Sequence, residues 1–300
     1  MLSFGCIIVV MPLFRRHKIL LGVLLQAPHN PTRMELMKWL FLLKKETFLS
    51  SDSTFYDFIP YKFGPFSFTV YRDLEELARF GYFEGKEIRI QPSLLSDAYR
   101  NFQSLPEVFQ TAVKSILTQY GRLSLSRLIH SIYDRYPWFA SRSKLKGKPT
   151  PPNKSCVPAA FTSGYEGTSI DSFFRKLMKE GIERIIDVRN NPVSRKYGFS
   201  KVALAKLSEE LDFEYIHFPD LGIPPSNRRS LVTFEDYQNL MTHYETSILP
   251  RVPEARSQAA LLLQDRPSVL VCFESDQRCC HRSRLASALS ADTGLKVIHL

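Results

Sequence analysis

Between Val269 and Arg282 the chain reads VLVCFESDQRCCHR, an apolar run ending in three cysteines, two carboxylates, a histidine and two arginines. In α/β proteins the carboxyl end of a strand, where the chain turns into a helix, is the usual place for ligands and chemistry. Cys272 and Arg278 have the Cys-x5-Arg spacing of thiol-phosphatase and sulfurtransferase loops. Those loops offer glycines and backbone N–H groups to an anion, whereas this one carries Glu274 and Asp276 and no glycine, so it would repel a phosphate. Cys272, Cys280 and His281 are ligand types that suit zinc. A metal there is not favoured, because neighbours on one helical turn point apart. Cys272, inside the strand, reads as a small core residue. Cys280, near a helix start and beside His281 and Arg282, has the setting that lowers a thiol pKa and makes it redox-sensitive.

The combination that carries most weight is carboxylates with arginines. Glu166, Asp187, Glu274 and His281 are the candidate proton-transfer groups. Tyr165, Arg189, Arg195 and Arg282 are the candidate ligand or phosphate contacts, since a guanidinium fork holds an oxyanion in a fixed orientation. Such a set suits hydrolysis or transfer at a nucleotide. Asp187 with Arg189 reads equally well as a buried pair tying strand ends together, and its role as base, acid or orienting group stays open.

These residues need a frame. From AAFTSGY onward strands and helices alternate: SIDSFFRKLMKEG closed by Gly181, then RIIDVRN, KVALAKLSEEL, FEYIHF, helices over 233–248 and 252–264, SVLVCFE, a helix from near Arg278, and KVIHL. Such a βαβ series predicts a Rossmann-like, mostly parallel sheet covered by helices. Its strand ends share one edge, where the residues above should converge. TSGYEG, DVRNNPVSRKYGFSK, YIHFPDLGIP and CFESDQRCCHRSRLA together resemble the family of domain of unknown function 488, over residues 159–300. The resemblance carries over Gly164, Tyr165, Glu166, Asp187, Arg189, Pro192, Arg195, Leu221, Gly222, Cys272, Glu274, Asp276, Cys280, His281 and Arg282, and implies a fold and a pocket without an assigned reaction. Cys279 has no counterpart in that pattern.

The first half has a different grammar. Residues 16–26 and 32–48 have helical spacing, with Asn30 or Thr32 as N-cap and Leu36, Trp39, Leu40 and Leu43 on one stripe. FTVYRDLEELARFGYF is a helix ending at Gly81, and YFEGKEIRI alternates around Gly85 like a small hairpin. Helices followed by a β-wing describe a winged helix-turn-helix. MELMKWLFLLKKE and YDFIPYKFGPFSFTVYRDLEELARFGYF resemble the Panacea or SocA-like antitoxin group over residues 16–92, with Phe63 in place of the usual Tyr before Gly64-Pro65. That resemblance implies a module able to bind protein partners as well as DNA. Arg33, Lys38, Lys44, Lys45, Lys62 and Arg72 are the candidate phosphate contacts. Two further helices over 105–136 carry Val108, Val113, Ile116 and Leu117, then Leu125, Leu128, Ile129, Ile132 and Tyr133. The Lys-, Ser- and Pro-rich tract that follows is a linker. The expected domains are therefore 11–140 and 159–300, joined by 141–158.

Charge divides along the same line. Residues 1–150 hold 21 Lys/Arg against 12 Asp/Glu, and residues 151–300 hold 19 against 18. A basic half joined to a nearly neutral one points to a polyanion partner for the first. Five cysteines without a regular framework argue against a disulfide-stapled secreted domain and for a reducing cytoplasm. The apolar opening MLSFGCIIVVMPLF is too short to span a bilayer and lacks a basic leader, so no membrane anchor is expected, and Met11 is a candidate start. The expected function is recruitment of DNA or RNA by the basic half, with the α/β half acting on it or on a nucleotide. No cofactor is specified. The competing expectation is a non-enzymatic transcriptional regulator or antitoxin-like binding protein that senses a ligand or redox state through Cys280.

Overall fold

The computed structural model describes residues 12–85, 87–145, 157–228 and 231–300. The candidate start at Met11 and the central part of the expected linker, 146–156, lie outside them. The chain divides into two compact units, Met1–Pro151 and Pro152–Leu300.

The first unit is mainly helical: α1 (Arg15–Gln26), α2 (Arg33–Glu46), strands β1 (Ile59–Tyr61) and β2 (Gly64–Phe66), α3 (Phe68–Arg79), α4 (Leu95–Gln103), α5 (Glu107–Tyr120), α6 (Leu125–Arg135) and α7 (Pro137–Ala140). A capping box starts α2, with the Thr32 side chain accepting from the Glu35 N–H while Glu35 reaches back to the Thr32 N–H, so two orphan donors are satisfied together. Ten consecutive residues of α2, Glu35 to Lys44, are buried. A helix covered on all sides is the unit's central core element.

Two expectations for this unit change. Among the described residues of 82–90 no strand forms; a single Gln91 N–H to Tyr82 C=O bond closes the segment. The antiparallel pair is instead β1 with β2, Ile59 opposite Phe66, around the Tyr-Lys-Phe-Gly-Pro turn where Gly64 takes φ +86°, a value that suits glycine. Val108, expected on the core stripe of α5, is half exposed, and Phe109 takes the buried position.

The second unit holds β3 (Ala160–Gly164), α8 (Ile170–Glu180), β4 (Arg184–Asp187), α9 (Lys201–Glu210), β5 (Glu214–His217), α10 (Phe234–His243), α11 (Pro253–Asp265), β6 (Ser268–Cys272), α12 (His281–Thr293) and β7 (Val297–His299). Ser169 caps the start of α8, and Gly181, at φ +71°, ends it in the left-handed conformation that glycine adopts at least cost. All five strands are parallel, in the order β5-β4-β6-β3-β7. In the doubly wound dinucleotide fold the first and second strands of the unit would be neighbours; here β6 lies between them. Its carboxyl end is thereby flanked by the ends of both β3 and β4.

One pleat of the sheet packs Ala160, Ile186 and Leu270 against Leu240, Ala259, Leu263, Leu285 and Leu289 of α10, α11 and α12. The other pleat carries Phe161, Ile185, Val269 and Val271, buried like Phe173, Phe174 and Leu177 of α8. Each large apolar side chain so buried contributes about 1.5–3 kcal/mol relative to exposure.

Candidate functional site

β3, β4, β5 and β6 end at Gly164, Asp187, His217 and Cys272, which the parallel registers set along one edge. The strand pleat then sorts the polar residues into two groups. Asp187 pairs with Val271 and His217, so it shares a face with Tyr165, Arg189 and Tyr215. Cys272, one step beyond Val271, points to the opposite face with Glu274. Space for this crossing depends on Gly164, where a Cβ would fall 1.9 Å from the Glu274 carbonyl oxygen.

The Asp187 group is closed on itself. Oδ1 accepts from the Arg189 backbone N–H at 3.1 Å and from Nε at 2.8 Å, while Oδ2 accepts from Nη2 at 2.5 Å and from the Tyr215 hydroxyl at 2.7 Å. The remaining Arg189 nitrogen, Nη1, donates to the Tyr165 hydroxyl and the Phe199 carbonyl, at 2.7 and 2.8 Å. Burial works against the Arg189 charge, but Asp187 outweighs it and holds the pKa above the ordinary guanidinium value. Burial and Asp187 together push Tyr215 up. With both fork directions engaged internally, this Arg189 is a tie between strand ends. His217 closes the same region by a 2.8 Å contact of Nε2 with the Arg189 carbonyl.

The second group surrounds Cys272. Its Sγ lies 3.0 Å from Glu274 Oε2 and 3.7 Å from His281 Nδ1. His281 is fully buried, and its Nε2 sits 2.9 Å from the Val188 carbonyl, which makes Nε2 the donor and turns Nδ1 toward the sulfur. Glu274 Oε1 accepts from Arg228 at 3.0 Å. Burial pushes the Cys272 thiol up, but hydrogen bonds from Cys280 and the charge and contact of His281 outweigh it and hold the thiol well below its usual value. Burial and Cys272 push Cys280 well above, and burial and Cys272 also raise Glu274. The sequence expectation of a lowered thiol pKa fell on Cys280; the lowering falls on Cys272, and Cys280 is raised. Arg282 donates to the carbonyls of Glu274 and Ser275, and Glu166 Oε2 accepts from the Ser275 N–H and hydroxyl at 3.1 and 3.2 Å. These two residues hold the loop after β6.

A pocket of about 470 Å³ opens over this edge. Tyr165, Arg189, Arg195 and Cys272 line it, while Asp187, Glu166, Glu274, His281, Cys280 and Arg282 are absent from its wall. Sequence reasoning missed Asn190, Lys196, Arg228 and Phe273, which also line it. Phe273 could have been found as the residue that directly follows the apolar run of β6; the structure leaves it 43% exposed. Lys196 donates to the Tyr165 carbonyl at 2.8 Å. Arg195 is exposed and has neither an ion pair nor a side-chain hydrogen bond among the described residues. A second hollow, about 610 Å³, is lined by Glu183, Asp212, Glu214 and Arg266 and, of the groups above, by Tyr215 alone.

Three ligand atoms in the unit suit a metal: those of Cys272, Cys280 and His281 all lie within 4.8 Å of one another. The expectation that Cys280 and His281 point apart assumed both were helical. Cys280 is extended, φ −130° and ψ 131°, and only His281 begins the helix, so the two side chains converge. His17, Asp73 and Glu76 form a similar group in the first unit. There Asp73 already takes Arg16, Arg72 and Tyr56, cations and a hydroxyl that leave no place for another positive ion.

The basic candidates of the first unit separate by burial. Lys38 is buried and donates to the Phe63 and Pro65 carbonyls, at 2.5 and 3.0 Å, and burial lowers its pKa to about 7. Lys44 is buried with its amine on the Asp52 carbonyl at 2.7 Å. Neither can reach a phosphate. Arg33 lies over the Tyr71 ring and Arg72 on Asp73, both half-buried. Lys45, over Phe139, and Lys62, over Tyr61, are exposed.

Residues 169–289 match the family model described as Domain of unknown function DUF488. The DUF488 match takes in Asp187, Cys272 and the loop that leads to His281, and begins just after Tyr165 and Glu166. No curated protein and no solved structure matches the chain. No helix among the described residues is long and apolar enough to cross a membrane.

Proposed function

We propose that the C-terminal unit binds an anionic, nucleotide-class ligand in the carboxyl-edge pocket and hydrolyses or transfers one of its groups, while the basic N-terminal unit recruits DNA or RNA. The observation that carries this reading is the pairing, in one pocket, of an exposed aromatic residue, Phe273, with an exposed cation, Arg195, that has neither an ion pair nor a side-chain hydrogen bond among the described residues. A ring face stacks on a base and a guanidinium fork holds a phosphate. Lys196 adds positive charge beside them, and Arg228 lines the same wall while paired to Glu274. Cys272 forms part of the wall, with Glu274 directly behind it as the group able to move a proton.

Support for recruitment is the charge surplus of the first 150 residues, with Lys45 and Lys62 exposed to deliver it. The redox alternative through Cys280 loses ground, since that thiol is buried and its ionisation is suppressed.

Calorimetry with nucleoside mono-, di- and triphosphates tests the pocket. Arg195→Ala and Phe273→Ala are each expected to weaken binding about tenfold, the size of one charged hydrogen bond or one stacked ring. Glu274→Gln is expected to retain binding and lose turnover. Affinities unchanged in both binding variants would refute the pocket assignment. For the N-terminal unit, binding of the full chain to DNA or RNA should fall steeply with salt; salt-independent binding would overturn it.

A further inference from the structure

We propose that Cys272, Cys280 and His281 form a zinc site with three protein ligands and a fourth position available to a water or to the pocket's ligand. This deepens the reading of the same pocket, and it stands on geometry that does not require a substrate.

The donor set is the first argument. Two thiols and an imidazole suit zinc, and their three ligand atoms lie within 4.8 Å of one another, a span that a tetrahedral ion with ligand bonds of about 2.0–2.3 Å can gather. They come from two elements held by register: Cys272 ends a central strand, and Cys280 and His281 straddle the start of α12. The second argument is the histidine. Its Nε2 is 2.9 Å from the Val188 carbonyl, which leaves the Nδ1 lone pair facing Cys272. Metal-binding histidines are oriented in this way, by giving their other N–H to a carbonyl or carboxylate. The Tyr244 ring, edge-on at 5.3 Å, fixes the imidazole plane.

Charge is the third. A dication with two thiolates is neutral, so a zinc ion held by this set would leave no net charge buried in the unit. Glu274, beside Cys272 and paired to Arg228, is outside the three-ligand group and stays available as a neighbouring base. A three-ligand zinc with an open position is the arrangement that lowers the pKa of a bound water. Of the three ligands, Cys272 is the one that lines the pocket.

The test is metal content of the full-length protein, grown with zinc and then dialysed against metal-free buffer. Stoichiometric zinc is expected by mass spectrometry of the elements, and cobalt exchanged into the same protein should show a thiolate-to-cobalt charge-transfer band. Cys280→Ser and His281→Gln should each lose the zinc at least tenfold, and Cys279→Ser should keep it. If those variants do not fold, the wild type still decides: zinc should slow thiol modification, and a chelator should restore it. A folded wild type with no zinc, no cobalt band and no protection would overturn the site, as would zinc that survives both ligand substitutions. Loss of this inference with Arg195-dependent nucleotide binding intact would leave the function reading standing. Zinc present without nucleotide binding would do the reverse.

Discussion

Asp187→Asn separates a structural carboxylate from a chemical one. The side chain is fully buried and takes four hydrogen bonds, three of them from Arg189. Asparagine keeps the shape but removes the charge that balances a buried guanidinium, and it turns one acceptor into a donor facing other donors. Breaking a buried pair in this way costs about 3–5 kcal/mol. With a urea dependence of about 2 kcal/mol per molar, the midpoint should fall by about 1.5–2.5 M. For a unit of this size the melting temperature should drop by about 6–20 °C. Tyr215→Phe, which removes a single donor, should cost about 1 kcal/mol. The assay is urea unfolding of the full chain, followed by near-ultraviolet dichroism. An Asp187→Asn protein with an unchanged midpoint and lost turnover would show that the carboxylate does chemistry, and would refute the assignment of Asp187 and Arg189 as a tie.

Three further outcomes follow from other residues. Burial raises the Asp73 pKa, but the pull of His17 and Arg16 outweighs it and holds the carboxyl at about 2, against an ordinary 3.8. The resulting stabilisation, about 2 kcal/mol, is present above pH 4 and lost as pH falls toward 2, and Asp73→Asn should abolish that acid step in unfolding curves. Lys38 is the opposite case: burial lowers its pKa from 10.5 to about 7, so between those values the unfolded chain binds the extra proton and stability should rise with pH. Lys38→Met should flatten the rise between pH 7 and 9, and a slope that persists in the variant would assign it elsewhere. Gly164→Ala, which sets a methyl 1.9 Å from the Glu274 carbonyl oxygen, should destabilise by about 1–3 kcal/mol and disturb zinc content together with nucleotide affinity; an alanine variant with normal stability and zinc would show that the loop after β6 can shift freely.

The periodic and capped elements were legible in the chain itself. Strand-helix alternation, Thr32 before α2 and Gly181 after α8 are local signals, set by side-chain patterns and backbone conformations within a few residues. The same locality explains what was misread. Residues 82–90 alternate like a hairpin, yet alternation says nothing about whether a pairing partner exists, and β1 with β2 supplied the only ladder among the described residues of that unit. Lys38 and Lys44 look like members of a charged face, but α2 is enclosed by its neighbours, a fact carried by packing and absent from α2's own sequence.

At the site, sequence alone determined which groups follow a strand: Asp187, Cys272 and Glu274 from where apolar runs stop, and Cys280 and His281 from the helix start after the last of them. Tertiary structure decided what each of them faces. Inserting β6 between β3 and β4 put Cys272 at the centre of the edge, and the pleat sent Asp187 to one side and Cys272 to the other. An extended Cys280 then brought both thiols and His281 together. Strand order, pleat direction and the conformation of one residue before a helix depend on contacts far apart in the chain, so no window of sequence could have decided them.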